Sequence, residues 1–156
     1  MLSFTRAKPA DAEALALVSK LAFDDDVKYG AAGPGGPPGY DSPLWQKRMM
    51  HWGDYYKILL DNQIIGGIIV FEKKVRTCEL GRIFIAPEFQ NQGICTQAFE
   101  FLWNTYPLTK LWTLGTPIWN LRNRHFYQKV GFTEIGHDTH GGVLFERRIP
   151  AQDPGF

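Results

Sequence analysis

Long apolar runs are missing from this sequence. No stretch approaches the roughly 20 apolar residues that a bilayer span requires, and Met1 to Lys20 lacks the apolar core of a secretion signal. A soluble, cytoplasmic protein with no membrane partner is the expectation. Cysteine is scarce as well: Cys78 and Cys95 are the only two, and they are not spaced as C-x-x-C. That pattern excludes a disulfide scaffold and a zinc framework and leaves two free thiols. Charge of one sign is also lacking, since 17 Lys+Arg stand against 16 Asp+Glu for a net +1. The electrostatic footprint of a nucleic-acid binder is absent, so no nucleic-acid partner is expected. Neither G-x-x-x-x-G-K-[ST] nor G-x-G-x-x-G occurs, which removes the two commonest phosphate loops, and there are no internal repeats.

What is present is one domain's worth of chain: 156 residues, 44% of them hydrophobic, enough for a single core. Leu2 to Arg6 alternates as a strand, and Pro9-Ala10-Asp11 opens a helix that should end near Phe23, with Leu15, Val18, Leu21 and Ala22 along one side. Residues 24–42 lose all periodicity, and the Gly/Pro-rich stretch Gly30 to Gly39 can sustain neither helix nor ladder. A second helix is expected over Pro43 to His51, carrying Trp45 and Met49. A hairpin follows, Tyr55 to Leu60 and Gln63 to Phe71 about the turn Asp61-Asn62, and then a third strand from Arg76 to Ile85. Gly93 to Tyr106 reads as a helix with Ile94, Ala98, Phe101 and Leu102 in phase. Lys110 to Leu114 reads as a strand, Asn120 to Val130 as a helix, and Phe132 to Ile135 and Val143 to Arg148 as a closing pair. The order β-α-α-β-β-β-α-β-α-β-β implies an α/β domain spanning 1–156, a mixed sheet with helices on its faces, ending in a short 150–156 tail.

The feature with most chemical content is the turn from the third long strand into the next helix, Glu88 to Thr96. A diphosphate needs converging backbone N–H donors and little side-chain bulk, and the first turn of a helix supplies both together with a partial positive charge. Gln90, Asn91 and Gln92 give a polar turn, and Gly93 permits close approach or positive φ. Taken alone the turn supports anion binding no more than a purely geometric glycine.

Ile85 to Ile94, with Gln90, Gly93 and Cys95 in the pattern Q-x-x-G-x-C, resembles the acetyl-CoA motif Q/R-x-x-G-x-G/A of the GNAT superfamily of N-acyltransferases. Asn120, Phe126, Tyr127, Lys129, Gly131 and Phe132 are similar to that family's second signature, N-x(6)-Y-x-K-x-G-F. The two motifs stand in the family's order, and the likeness spans nearly the whole chain. It implies the GNAT fold, with a mostly antiparallel sheet, and an acetyl-CoA-dependent N-acetyltransferase. The cosubstrate would be bound by Ile83, Phe84, Ile85, Gln90, Asn91, Gln92, Gly93, Ile94, Cys95, Thr96, Asn120 and Tyr127. In such enzymes the pantetheine arm pairs with strand backbone, here at Ile83 and Ile85. Two positions depart from the pattern: Cys95 replaces a Gly or Ala, which sets a thiol near the diphosphate, and Asn123 replaces a common Ala.

Transfer from a thioester to an amine requires a proton acceptor, a carbonyl stabiliser and a route out for the thiolate. The resemblance implies Tyr127 as proton donor to the thiolate, and its ordinary alternative is an amphipathic core residue. Glu79 has the spacing of a strand glutamate used as base in some family members; otherwise it is a solvated residue or an ion-pair partner of Arg76 or Arg82. Strict alternation sets Glu79, Gly81, Ile83 and Ile85 on one face and Leu80, Arg82 and Phe84 on the other. Asn120 is also suited to capping its helix. Cys95 at a helix start is expected to have a lowered pKa without a catalytic part. His137 and His140 form H-x-x-H with no third ligand, so no metal is expected.

The loop from residue 24 to 42 is either a plain connection or a lid over the acceptor. Its neighbours Asp24, Asp25, Asp26, Tyr29, Tyr40 and Trp45 suit a cationic amine, or else form a solvated acidic cap. The reading is direct transfer of acetyl to a primary amine, with a small molecule favoured over a protein, beside the alternative of a non-catalytic acyl-CoA-binding domain. The acceptor itself is not legible, and exposed closing strands permit a homodimer.

Overall fold

The computed structural model describes residues 1–149, so the 150–156 tail lies outside the described residues. Seven strands form one sheet: β1 (Leu2–Arg6), β2 (Asp54–Leu60), β3 (Gln63–Glu72), β4 (Thr77–Ile85), β5 (Leu111–Pro117), β6 (Thr133–His137) and β7 (Gly142–Arg148), in the spatial order β1-β2-β3-β4-β5-β7-β6. All neighbours are antiparallel except β4 and β5. The crossover between that parallel pair is α3 (Ile94–Thr105), and the other helices are α1 (Ala12–Asp24), α2 (Pro43–Trp52) and α4 (Leu121–Lys129). Element order and type follow the sequence reading. No helix among the described residues is long and apolar enough to cross a membrane.

The sheet separates two apolar layers. On one face Ile94, Ala98, Phe99 and Leu102 of α3 and Tyr127 of α4 pack on Ile58, Ile68, Val70, Leu80, Trp112 and Phe145. On the other, Leu15 and Ala22 of α1, with Trp45 and Met49 of α2 alongside, cover Tyr55, Ile69 and Phe84. Each fully buried side chain of this size contributes about 1.5–3 kcal/mol. Two helical registers differ from expectation. The buried stripe of α1 is Ala12, Leu15, Ala16, Ser19 and Ala22, which leaves Leu21 exposed, because six residues at about 100° each turn it away from Leu15. On α3, Phe99 takes the central buried position and Phe101 sits at the margin against Phe4 and Tyr56.

The hairpin turn has Asp61 and Asn62 both at positive φ (49° and 68°), the conformation that matches strand twist. Within β4 the alternation breaks. Ile69 pairs with Arg82 while Val70 pairs with Leu80, so Gly81 is the extra residue of a β-bulge. The strict alternation expected from the sequence is therefore wrong across this point. Leu80, Ile83 and Ile85 share the α3 face, whereas Glu79, opposite Phe71, shares the α1 face with Arg82 and Phe84.

On β3, a Cβ at Gly66 would lie 2.3 Å from the Phe84 carbonyl oxygen of β4. Backbone cannot yield there as a side chain would. Gly66→Ala is expected to cost about 1–3 kcal/mol in denaturant titration; an unchanged midpoint would contradict this account of the strand pair.

Candidate active site

β4 and β5 are joined only at Thr77–Leu111, Cys78–Trp112 and Glu79–Thr113. Beyond these, β4 stays with β3 through Ile85, and β5 stays with β7 through Pro117. Each strand follows its other neighbour, and the bulge at Gly81 adds twist, so the two part. The Ala86 N–H donates to the Ile65 carbonyl on β3. Since successive residues point their peptide groups to opposite sides, those of Ile83 and Ile85 face the gap. The Ile85 carbonyl there accepts 2.9 Å from Gln90 Nε2. An extended amide-bearing chain entering this gap meets free strand backbone, as an added strand would.

At the wide end of the gap lies the turn. Asn91 and Gly93 are both at positive φ (62° and 79°), and a Cβ on Gly93 would meet nothing within 4 Å. The first helical hydrogen bond of this end runs from Gln97 N–H to the Gly93 carbonyl, so the N–H groups of Ile94, Cys95 and Thr96 have no helical acceptor. Arg122 and Lys129 of α4 stand on the opposite wall. Backbone donors and two cations converge there, as a diphosphate requires.

Two cavities open along the gap. One, of about 340 Å³, is lined by the turn, Ile83 to Ile85, Arg122, Phe126 and Lys129. The other, of about 470 Å³, runs between Leu80 to Ile83 and Leu114 to Pro117 and is roofed by the loop at Ala31 to Pro37. Phe23, Asp26, Ile83, Asn123 and Tyr127 line both. The two cavities thus share one wall.

Asp26 is the acidic member of that shared wall. Asp24 is held by Lys20 at 2.5 Å and by the Tyr40 hydroxyl, and Asp25 by Lys28 at 2.8 Å. The Asp26 side chain is only 14% exposed, and among the described residues the cation it faces is Arg122 at 3.8 Å, beyond hydrogen-bond reach, with the Asp25 carboxylate also close enough to act on it. Burial pushes its pKa up to about 6, against the pull of Arg122. Burial likewise drives the Tyr127 phenol well above its ordinary range, with Asp26 and Cys95 adding to the shift, so it stays protonated. Arg122 spans the site: Nη1 donates 2.8 Å to Gln90 Oε1, and the guanidinium stacks 3.6 Å over Tyr29.

The sequence model of the acetyltransferase (GNAT) family matches residues 25–132. The chain belongs to the GNAT acetyltransferase family. Enzymes of this family use acetyl-CoA. Among solved structures, the fold is similar to that of the PaiA N-acetyltransferase of Thermoplasma acidophilum in complex with coenzyme A. The TM-score is 0.79 at 16% identity, covering 96% of this chain and 99% of that one. An acetyltransferase from Thermus thermophilus gives the same TM-score and identity over 96% and 97%. YrkN of Bacillus subtilis, an uncharacterized protein, is 35% identical over 79 residues, 49% of this chain and 43% of its own. The match therefore covers less than half of that relative's length.

Within this GNAT chain, most of the residues expected to hold the cosubstrate line the smaller cavity: Ile83, Phe84, Ile85, Gln90, Asn91, Gly93, Ile94, Cys95, Thr96 and Tyr127. Gln92 does not line it; its amide turns back to the Glu88 carbonyl at 3.2 Å. Asn120 caps α4, accepting from the Asn123 N–H at 3.0 Å, and lines the larger cavity, with Nδ2 buried and unpartnered. Glu79 lines neither cavity and pairs at 3.7 Å with Lys73, not with Arg76 or Arg82. The bulge accounts for this, because it leaves Glu79 before the strands part. Arg122 and Asp26 line the cavities although the sequence singled out neither by itself, Asp26 being offered only with Asp24 and Asp25 as suited to a cationic amine. Asp26 sat in an undifferentiated run of three acids, and only the fold distinguishes it.

The expected low pKa of Cys95 is also overturned. Partial burial beside Arg122 and Tyr127 of α4 outweighs the attraction of Arg122, pushing the thiol up to about 11. Alkylation of native protein by iodoacetamide at pH 7.5 should run at least about 100-fold slower than that of free cysteine. A rate matching free cysteine would mean that the thiol is neither buried nor deactivated.

Proposed function

We propose that this protein transfers the acetyl group of acetyl-CoA to a primary amine of a small molecule, by direct attack within a ternary complex. The observation that carries this reading is the wall common to both cavities, where Ile83, Asp26 and Tyr127 meet. The diphosphate would lie on the turn from Asn91 to Thr96 beside Arg122, and the pantetheine amides along Ile83 and Ile85. The thioester would then reach Tyr127. The amine would enter through the larger cavity, and its roof at Ala31 to Pro37 favours a small molecule over a protein chain.

The chemistry follows from the charges. Asp26 draws the protonated amine; one proton leaves to solvent to free the nitrogen lone pair, and Asp26 accepts the second as nitrogen bonds to the thioester carbon. The Ile83 N–H, facing the gap, is placed to receive the carbonyl oxygen as it gains charge. As the C–S bond breaks, the Tyr127 phenol would pass its proton to sulfur while taking up the proton held on Asp26, so that no phenolate forms. Glu79 has no part in this scheme. A non-catalytic CoA-binding domain would need neither a half-buried acid nor a phenol on the shared wall.

Free-thiol release from acetyl-CoA across an amine panel tests the reading directly; CoA binding with no release for any amine would leave only the binding domain. For an amine that is acetylated, kcat/KM should rise with pH through about 6, since Asp26 acts as its carboxylate and is protonated below that point. Asp26→Asn should remove this acid limb and lower kcat/KM about 100-fold or more. An intact limb would return the base to another group. Tyr127→Phe should lower kcat about 10-fold or more while the Kd for acetyl-CoA stays within about twofold. Equal loss of both would indicate a packing role.

A further inference from the structure

The larger cavity has a second charged group, and nothing in acetyl transfer calls for it. Arg82 follows the β4 bulge and shares the wall with Asp26. Its guanidinium stacks 4.0 Å over Trp45 and lies 6.0 Å from Phe23, and Nη2 donates 3.2 Å to the Pro38 carbonyl on the roof loop. Nη1 is buried and has no hydrogen-bond partner. Among the described residues no carboxylate pairs with it, and the one ionisable group acting on it is the Tyr55 phenol. Burial lowers its pKa to about 10, well below any ordinary guanidinium.

A partly buried cation with one nitrogen sealed from water and no counter-charge is costly, and a protein that needed only to fasten the loop to α2 would be served by a neutral side chain. Stacking and the Pro38 contact use one ring face and one nitrogen. The remainder is donor capacity with no acceptor. Asn120 Nδ2, in the same cavity wall, is a second buried donor without a partner. The cavity therefore holds one carboxylate, Asp26, and, apart from it, a surplus of hydrogen-bond donors at Arg82 and Asn120. Phe23, Leu80, Leu114 and Trp119 give it an apolar lining between those polar points.

Resting on the transfer reading above, we propose that the acceptor is an amino carboxylate: its ammonium is held by Asp26 and its carboxylate is paired with Arg82, with an apolar body between or beside them. A guanidinium suits this task because its planar fork matches a carboxylate in two parallel hydrogen bonds. The pair also orients the acceptor, since the carboxylate fixed at Arg82 leaves the amine to face the shared wall with Tyr127. An amine without an anionic group would enter against an unneutralised cation.

The test compares acceptors on the full-length protein by thiol release from acetyl-CoA. L-Phenylalanine, L-leucine and 4-aminobutyrate are set against their decarboxylated counterparts, and the two α-amino acids also against their carboxamides. Decarboxylation raises amine basicity and amidation lowers it, so a loss in both directions tracks the carboxylate. At least one carboxylate-bearing acceptor should exceed its counterparts at least about 10-fold in kcat/KM. Arg82→Met, which keeps the apolar stem, should collapse that ratio towards one; a merely structural Arg82 would lower all acceptors together and leave the ratio intact. Equal or better use of amines lacking the carboxylate overturns this proposal while acetyl transfer stands. Acetyl-CoA binding with no transfer to any carboxylate-bearing acceptor also overturns it. Failure to bind acetyl-CoA at all would instead overturn the transfer reading on which it rests.

Discussion

Only three residue pairs, Thr77–Leu111 to Glu79–Thr113, tie β4 to β5, and past them each strand keeps one edge of peptide groups without a neighbour. Unpaired backbone inside a sheet is costly, and a protein retains it only where something else will satisfy it. The divergence is enforced from both sides. β4 is bound to β3 up to Ile85, β5 to β7 up to Pro117, and Gly81 bends β4 at the point of parting. Both cavities, the turn at the head of α3 and the capping helix α4 are arranged around that opening.

Charge is distributed along the gap according to what each part would meet. Arg122 and Lys129 stand opposite the free N–H groups of α3, where an anion would lie. Asp26 and Tyr127 occupy the middle, both driven by burial towards their protonated forms, though to different extents. Burial that brings the Asp26 pKa up to about 6 lets it exchange a proton near neutral pH, whereas Tyr127, a weaker acid than the thiol it would form, can part with its proton only as another replaces it. Arg82 lies farther along, under the roof loop. Arg122 couples the ends, reaching Gln90 of the turn through one nitrogen and facing Asp26 with another. A diphosphate that drew Arg122 towards the turn would leave Asp26 with less counter-charge and more basic.

The sequence disclosed the element order, the family and the turn because those rest on local signals: alternation in β2 and β3, the Asp61-Asn62 turn, and glycine and asparagine at fixed offsets ahead of α3 and α4. It disclosed the faces of β4 only up to the bulge. A one-residue insertion in a ladder is a property of two strands and leaves no mark on either alone, which is why Glu79 was assigned to the wrong face. Asp24, Asp25 and Asp26 are indistinguishable as letters; Lys20 with the Tyr40 hydroxyl holds one and Lys28 another, while the third is left lining the cavities with Arg122 at 3.8 Å. Cys95 was misjudged because a helix terminus is visible in sequence while partial burial beside another helix is not. Arg82 and Arg122 belong to the same class of residue, whose meaning comes entirely from what lies across the gap.

The central claim is that the opening between β4 and β5 is where CoA lies. Amide hydrogen exchange with and without saturating CoA tests it residue by residue. Binding in the gap predicts slowed exchange at Ile83, Ile85 and Gly93 to Thr96, with β1, β2 and the β6–β7 pair unchanged. Protection confined to other elements, or none at these amides under saturating CoA, would contradict it.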